Sequence, residues 1–285
     1  MGTSTILVTG ATGNAGGAVV RALLEAGAEV RALVRSSAAA SLPSDAEPVT
    51  GDLNRPGTLR QAIAGASAVF LLSGYEGIDE TLAEMRRAGV ERVVLLSSSS
   101  VPGGDMTNAV ARYHILSEQA VRESGLAWTF LQPNSFMTNT YQWIPQLREG
   151  DRIRAPFADV AIATIDPADV GAVAAKALMS SELEGQSLCL SGPEALYPAD
   201  RVRILASALG RELRFEAQSN EDARKEMEAA MPVEYVDAFF SFFVDGSIDE
   251  TTVLPTVAKM LGRQPRSFEQ WAVERVQSSR GTGLA

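Results

Sequence analysis

Residues 6–17 read Ile-Leu-Val-Thr-Gly-Ala-Thr-Gly-Asn-Ala-Gly-Gly, and an amphipathic run follows at 18–26. An apolar strand enters a turn carrying glycines at 10, 13 and 16 and leaves it as a helix. A tight turn needs a residue without a Cβ at Gly10, and a pyrophosphate needs close backbone approach at Gly13. Packing of the helix on its own strand needs a third such residue at Gly16. The free N–H groups and the positive dipole end of the helix then face the phosphates. Strand, turn and helix in this order predict a dinucleotide site, with the spacing G-x-x-G-x-x-G in place of G-x-G-x-x-G.

The rest of the chain repeats the rhythm. Strands are expected at 6–8, 29–34, 68–72, 92–96 and 128–131, alternating with helices at 18–25, 58–63, 78–88 and 112–124. Regular β-α-β alternation with short turns predicts an α/β fold built on a doubly wound parallel sheet. The right-handed crossover places ligands at the carboxyl ends of the strands. Gly27, Gly89 and Gly125 each follow a helix as C-terminal caps. After Gln132-Pro133 the rhythm loosens to a helix-like stretch, a Gly150-Asp151 turn, a strand at 160–165, a helix at 170–178 capped by Asp169, and a strand at 186–190. Helices are expected near 199–209, 221–230, 233–243 and 268–275, and 278–285 has a tail's composition. The expected division is a dinucleotide-binding domain over 1–133 and a smaller, mainly helical substrate-side lobe over 134–285, parts of which near 160–192 return to the sheet.

Composition sets bounds on partners. At 285 residues and 46% hydrophobic the chain can bury a full core. A formal charge of −10 repels nucleic acid and anionic membrane surfaces, and no basic patch offsets it. Cys189 lies in an apolar strand-like run and reads as a buried, inert thiol; one Cys and one His leave no set of ligands for a metal. No apolar run is long enough to span a bilayer and no cleavable leader is evident, so a cytoplasmic protein acting on a small molecule, as monomer or homodimer, is expected.

Several strand ends carry candidate site residues. Arg35 closes the second strand where an NAD-specific protein would carry an acid for the ribose 2′-OH. A cation there suits a 2′-phosphate, with Ser36 and Ser37 as added hydroxyl donors; a solvated turn residue is the alternative. After a further strand that ends before Gly51, between those at 29–34 and 68–72, the Asp52 carboxylate is placed to accept from an adenine amino group and Leu53 to cover the ring, unless Asp52 only caps the helix that Pro56 introduces. Leu72, Ser73 and Gly74 end the next strand and let ribose and pyrophosphate lie across the sheet edge. Ser97–Ser100 end the strand after that, with Ser98 or Ser99 as a substrate or nicotinamide contact or as plain loop hydroxyls. Met137, Trp143, Phe157 and the 239–243 aromatics are candidates to wall an apolar pocket, or else core; the glycines of 101–107 suggest a lid or an ordinary loop.

Beyond the glycine turn, Ala32-Leu-Val-Arg35, Gly51-Asp-Leu53, Ala88-Gly-Val-Glu-Arg-Val-Val94, Ser124-Gly-Leu-Ala-Trp-Thr129, Gln132-Pro-Asn-Ser-Phe-Met137, Asp166-Pro-Ala-Asp-Val170 and Leu190-Ser-Gly-Pro193 complete a pattern. With these motifs the chain resembles the NmrA-like, atypical short-chain dehydrogenase/reductases. The resemblance implies a Rossmann fold, NADP(H) as cofactor, and a cofactor site made by Gly10, Thr12, Gly13, Asn14, Ala15, Gly16, Arg35, Ser36, Asp52, Leu53, Leu72, Ser73, Gly74 and Pro133. It implies an NADPH-dependent oxidoreductase acting on an aromatic or quinone-like acceptor. The group also holds non-catalytic NADP sensors, and a tailoring reductase of a biosynthetic pathway is a third alternative for this chain.

The chain departs from the wider superfamily at the Tyr-x-x-x-Lys dyad, in which Lys lowers the tyrosine pKa for proton exchange. Counting back from Glu118, which matches the acidic residue of that helix, puts His114 at the Lys position and Val110 at the Tyr position. His114 is either a structural histidine or, as imidazolium or neutral ring, a group that holds the nicotinamide ribose or protonates the substrate. Tyr113 is a further proton-donor candidate, on a helix position about 100° away from His114.

Overall fold

The computed structural model describes residues 5–35 and 42–279. The chain divides into two compact units. One comprises Met1–Gly104, Ala111–Pro133 and Pro167–Cys189, and the other Asp105–Val110, Asn134–Asp166 and Leu190–Ala285.

The first unit carries a seven-stranded sheet in the order β3-β2-β1-β4-β5-β6-β8. Its strands are β1 (Thr5–Val8), β2 (Glu29–Val34), β3 (Glu47–Thr50), β4 (Ala66–Leu72), β5 (Arg92–Leu96), β6 (Ala127–Pro133) and β8 (Gln186–Leu190). Every pair from β3 across to β6 is parallel. The chain runs outward from β1 to β3 and then crosses back to β4, so the strand order reverses between β1 and β4. In an open α/β sheet the crevice beyond the carboxyl ends of those two strands is the ligand position.

The helices of this unit include α1 (Asn14–Glu25), α2 (Arg60–Ile63), α3 (Ile78–Arg87), α4 (Ala109–Glu123) and α6 (Pro167–Met179). Ala15, Ala18, Val19, Val20 and Leu23 bury one face of α1, and α6 packs closely against this helix. A Cβ on Gly171 of α6 would lie 2.6 Å from the Ala18 carbonyl carbon, so the two backbones meet there. On the sheet's other side Leu59, Ile63, Leu82, Met85, Val121 and Phe130 join one apolar cluster. Burial of each such large side chain contributes about 1.5–3 kcal/mol.

The second unit contains α5 (Ile144–Glu149), β7 (Arg152–Ala155), α7 (Pro198–Leu209), β9 (Arg214–Ala217), α8 (Asn220–Ala230), α9 (Val233–Phe243), α10 (Thr256–Leu261) and α11 (Phe268–Ser279). Trp143, Ile153, Val202, Leu205, Phe268 and Trp271 form its core.

Three expectations are corrected. Helix α1 starts at Asn14, four residues before the amphipathic run at 18, because Gly13 takes its N-cap position. Residues 160–165 form no strand: Ile162 and Ile165 make single bridges to Leu196 and Phe136, and the Ala163 N–H goes to the Glu250 carbonyl, so no ladder builds. Asp169 does not precede its helix but lies fully buried within its first turn, because α6 begins at Pro167, whose fixed φ suits that position. The second unit also holds the parallel pair β7–β9, whose four-residue strands give too short a pattern to read from sequence. No described helix is long and apolar enough to cross a membrane.

Candidate functional site

At the end of β1 the chain turns on Gly10, at φ +61°, where a Cβ would fall 2.5 Å from Leu72 Cδ1. The Gly13 N–H donates to the Gly10 carbonyl at 2.8 Å, closing the turn, and Gly13 becomes the N-cap of α1. At Gly16 a Cβ would sit 2.2 Å from the Gly10 oxygen and 2.8 Å from the Thr9 oxygen, so helix and turn touch backbone to backbone. At Gly13 it would meet only the Gly10 oxygen, at 3.3 Å, and otherwise open space. Helix α1 has no side-chain cap and no acid in its first turn. Thr12, Gly13 and Asn14 are exposed, and Ala15 and Gly16 are buried. The N–H groups of this turn are therefore spent on no side chain, and the cradle fits an anion approaching along the helix axis.

Arg35 is exposed one residue past β2 and forms no ion pair among the described residues. Ser36 and Ser37 lie outside the described residues. The Asp52 carboxylate accepts from the Asn54 N–H at 3.0 Å in a local turn, while Arg55 takes the N-cap position before Pro56. Leu53 is buried in the first unit's core, and Pro133 is buried at the end of β6.

The carboxyl end of β4 is held by α4. The Leu72 N–H donates to Thr9 Oγ1 at 3.0 Å, and Ser73 Oγ lies 2.7 Å from His114 Nδ1. Gly74, at φ +87°, donates its N–H to Ser117 Oγ at 3.1 Å, and the Tyr113 ring lies so close that a Cβ on Gly74 would come within 3.1 Å of it. The Tyr113 and His114 rings pack at 4.1 Å between centroids. Adjacent positions on the helix predict separation, but the side chain missing at Gly74 leaves room for the Tyr113 ring to lean over the loop whose Ser73 meets His114. Burial lowers the His114 pKa to about 4, which removes the imidazolium as a neutral-pH species and leaves an uncharged ring. Its Nε2 has no hydrogen-bond partner among the described residues.

At the end of β5 the serines diverge. Ser97 Oγ donates to the fully buried Glu118 at 2.5 Å, and Glu118 also accepts from Gln132 Nε2 and Arg122, each at 2.8 Å. Ser98 is half-buried, and its oxygen accepts from the Ser100 N–H and hydroxyl. Residues 101–103 form a short 3-10 turn. Cys189 is half-buried rather than enclosed, with its thiol 3.3 Å from Gln132 Oε1 and its pKa raised by burial and by the Glu118 charge.

The second unit encloses a separate cavity of about 540 Å³, with Trp143, Phe157, Phe239, Phe243, Arg201 and Gln218 in its lining. Met137 lies in the core instead. Phe157 is held at φ 56°, a region an aromatic residue rarely adopts, with its ring against Phe240 and Phe243. Arg201 and Gln218 escaped sequence reasoning: each sits in a polar segment that reads as solvated surface, and only burial distinguishes them.

A family model described as NAD(P)H-binding matches residues 10–181. The chain is 37% identical to a (4-alkanoyl-5-oxo-2,5-dihydrofuran-3-yl)methyl phosphate reductase of Streptomyces griseus, over 96% of this chain and 98% of the relative. It is 33% identical to an NAD(P)H azoreductase of Xenophilus azovorans, over 94% and 96%. Among solved structures, an NADPH-dependent quinone oxidoreductase from Escherichia coli superposes with a TM-score of 0.76 at 22% identity, covering 95% of this chain and 99% of that one. With a glycine turn feeding an uncapped helix at the sheet's switch point, and with these relatives along almost its whole length, the chain belongs to the NAD(P)H-binding family in its NmrA-like, atypical short-chain dehydrogenase/reductase branch.

Proposed function

We propose that the chain transfers hydride from NADPH to a small conjugated acceptor of aromatic, quinone-like or unsaturated-lactone type. The observation that carries this reading is full-length similarity to relatives named as reductases. It is supported by the phosphate cradle that the glycine turn leaves open at α1.

The dihydronicotinamide, when bound, supplies the hydride; the protein contributes placement and electrostatics. Gly10, Gly13 and Gly16 allow the backbone of Thr12, Asn14 and Ala15 to hold the pyrophosphate. Arg35 with Ser36 takes the 2′-phosphate, Asp52 and Leu53 the adenine end, and Leu72, Ser73, Gly74 and Pro133 the ribose and nicotinamide end. His114 orients Ser73 through Nδ1 and keeps Nε2 for the nicotinamide ribose.

Hydride arriving at a conjugated acceptor leaves negative charge on its oxygen or nitrogen, which a hydrogen-bond donor stabilises. Ser98 keeps its own proton for that donation, because its two bonds to Ser100 use the oxygen as acceptor. Tyr113→Phe locates the final proton: unchanged turnover assigns it to solvent, and a fall of roughly a hundredfold or more assigns it to the phenol.

Arg35→Asp should erode the preference for NADPH over NADH by roughly tenfold to a hundredfold, since a charge-assisted contact contributes about 1.5–3 kcal/mol. Calorimetric titration giving equal affinities for both cofactors in the unaltered protein would remove Arg35 from the site.

The absent Tyr-x-x-x-Lys dyad, with Val110 and His114 in its place, favours a second reading, an NADP(H) sensor without turnover. NADPH consumption against quinones, azo dyes, unsaturated lactones and ketones decides between them. Turnover of a conjugated acceptor supports the reductase, and cofactor binding with no turnover across the panel selects the sensor.

A further inference from the structure

The cavity of the second unit holds two polar donors that nothing among the described residues satisfies. Arg201, the fourth residue of α7, is 7% exposed, and its Nε has no hydrogen-bond partner among the described residues. Its guanidinium carbon lies 5.4 Å from the centroid of the Trp143 ring, and it makes no ion pair among those residues. The Glu250 carboxylate acts on it only through the field; that carboxylate accepts from the Ser135 N–H at 2.8 Å and the Ser135 hydroxyl at 2.6 Å. Burial lowers the Arg201 pKa to about 10, which still leaves a cation at neutral pH. Gln218 supplies the second donor, with its Nε2 buried and without a partner among the described residues. Both line the same cavity, whose wall includes Trp143, Phe157, Phe239 and Phe243 together with polar residues such as Ser135, Asn139 and Glu226. The other lining arginine, Arg154, is already paired with Glu226 at 2.5 Å.

A buried cation without a contact partner is costly, and a buried unsatisfied donor adds about 1–3 kcal/mol. Both donors lack only acceptors, and the space between aromatic walls suits a flat apolar body. We propose that this cavity binds a small organic oxyanion, a phosphate monoester or carboxylate carried on an apolar ring, with Arg201 as its charge partner and Gln218 as a hydrogen-bond donor. The Trp143 ring, 5.4 Å from the guanidinium carbon, limits its motion.

Calorimetry with phenyl phosphate, benzoate and phenol tests this without turnover, so its outcome is independent of the reductase reading. Saturating NADP+ is present throughout to keep the probes from the phosphate cradle at α1. Phenyl phosphate or benzoate should bind at least roughly tenfold more tightly than phenol, and the tighter of the two identifies the head group. Arg201→Met should weaken that binding by roughly tenfold to a hundredfold, and Gln218→Leu by roughly tenfold. Arg201→Lys should retain part of it.

Melting curves separate this from a structural role. Removing a buried, unpaired charge leaves stability unchanged or raised, so Arg201→Met should melt no lower than the unaltered protein. Equal affinity for phenol and the two anions would overturn the proposal. So would unaltered anion binding in Arg201→Met, or a marked fall in its melting temperature. Gln218→Leu keeps the proposal testable if the arginine variant fails to fold.

Discussion

Gly13→Val should bring NADPH binding down by roughly a hundredfold or more, equivalent to about 3 kcal/mol, in a protein that still folds. The two halves of that expectation have separate causes. Gly13 sits at φ −90° and ψ 177°, an extended conformation that valine adopts without strain. Its added Cβ meets only the Gly10 oxygen at 3.3 Å, so the turn yields by a few tenths of an ångström. The side chain then points into the space where the helix N–H groups would receive the pyrophosphate. Gly16→Val is the contrasting variant, because its Cβ would fall 2.2 Å from the Gly10 oxygen and 2.5 Å from the Gly10 carbonyl carbon, which cannot move aside. That variant should lose cofactor by losing the fold of the first unit. Circular dichroism with calorimetric titration of both proteins checks the pair. Unaltered NADPH affinity in a folded Gly13→Val protein would place the dinucleotide elsewhere.

The second large effect is on stability. His114 titrates at about 4 in the folded chain against an ordinary value of 6.5. Between those values the unfolded chain holds a proton that the folded chain does not. The stability that comes from keeping this ring neutral is therefore complete above about pH 6.5 and is lost as pH falls toward 4, by about 3 kcal/mol. His114→Asn removes the titration while offering an amide to Ser73 Oγ. Urea unfolding at pH 7 and pH 4 should show unaltered protein losing about 3 kcal/mol more than the variant over that interval. Carboxylates titrate equally in both proteins and cancel in the comparison. An identical loss in both would mean that the ring is solvated and free to charge.

The sheet and its glycine turn were legible because each rests on a strong local pattern. Continuous apolar strands such as Val93–Leu95 are buried on both faces, whereas the apolar run places the first helix at 18 and the structure begins it at Asn14, because Gly13 takes the N-cap position before the amphipathic residues start. Less was legible where tertiary packing decides. Residues 160–165 have the β-branched content of a strand but spend their hydrogen bonds on loops that come from residues 196 and 250. The tilt of Tyr113 onto His114 depends on an absent side chain forty residues earlier in the chain, at Gly74. Arg201 follows a proline and an acid at a helix start, a setting that in sequence is indistinguishable from solvated surface. The lowered pKa of His114 likewise follows from burial, which no single residue in its neighbourhood announces.

The backbone contact between Gly171 and Ala18 also constrains how the chain is made. Emerging from the ribosome N-terminus first, residues 1–133 supply six strands of the sheet and α1, but neither α6 nor β8. Until residues 167–190 arrive, the α1 face that receives α6 is bare and β6 stands as an open edge, a surface prone to pairing with other chains. The nucleotide-binding half is therefore closed by a segment synthesised after residues 134–166 of the other unit and before residues 190–285. A nascent chain stalled at Pro133 should depend on chaperone shielding, whereas one that has released β8 should not.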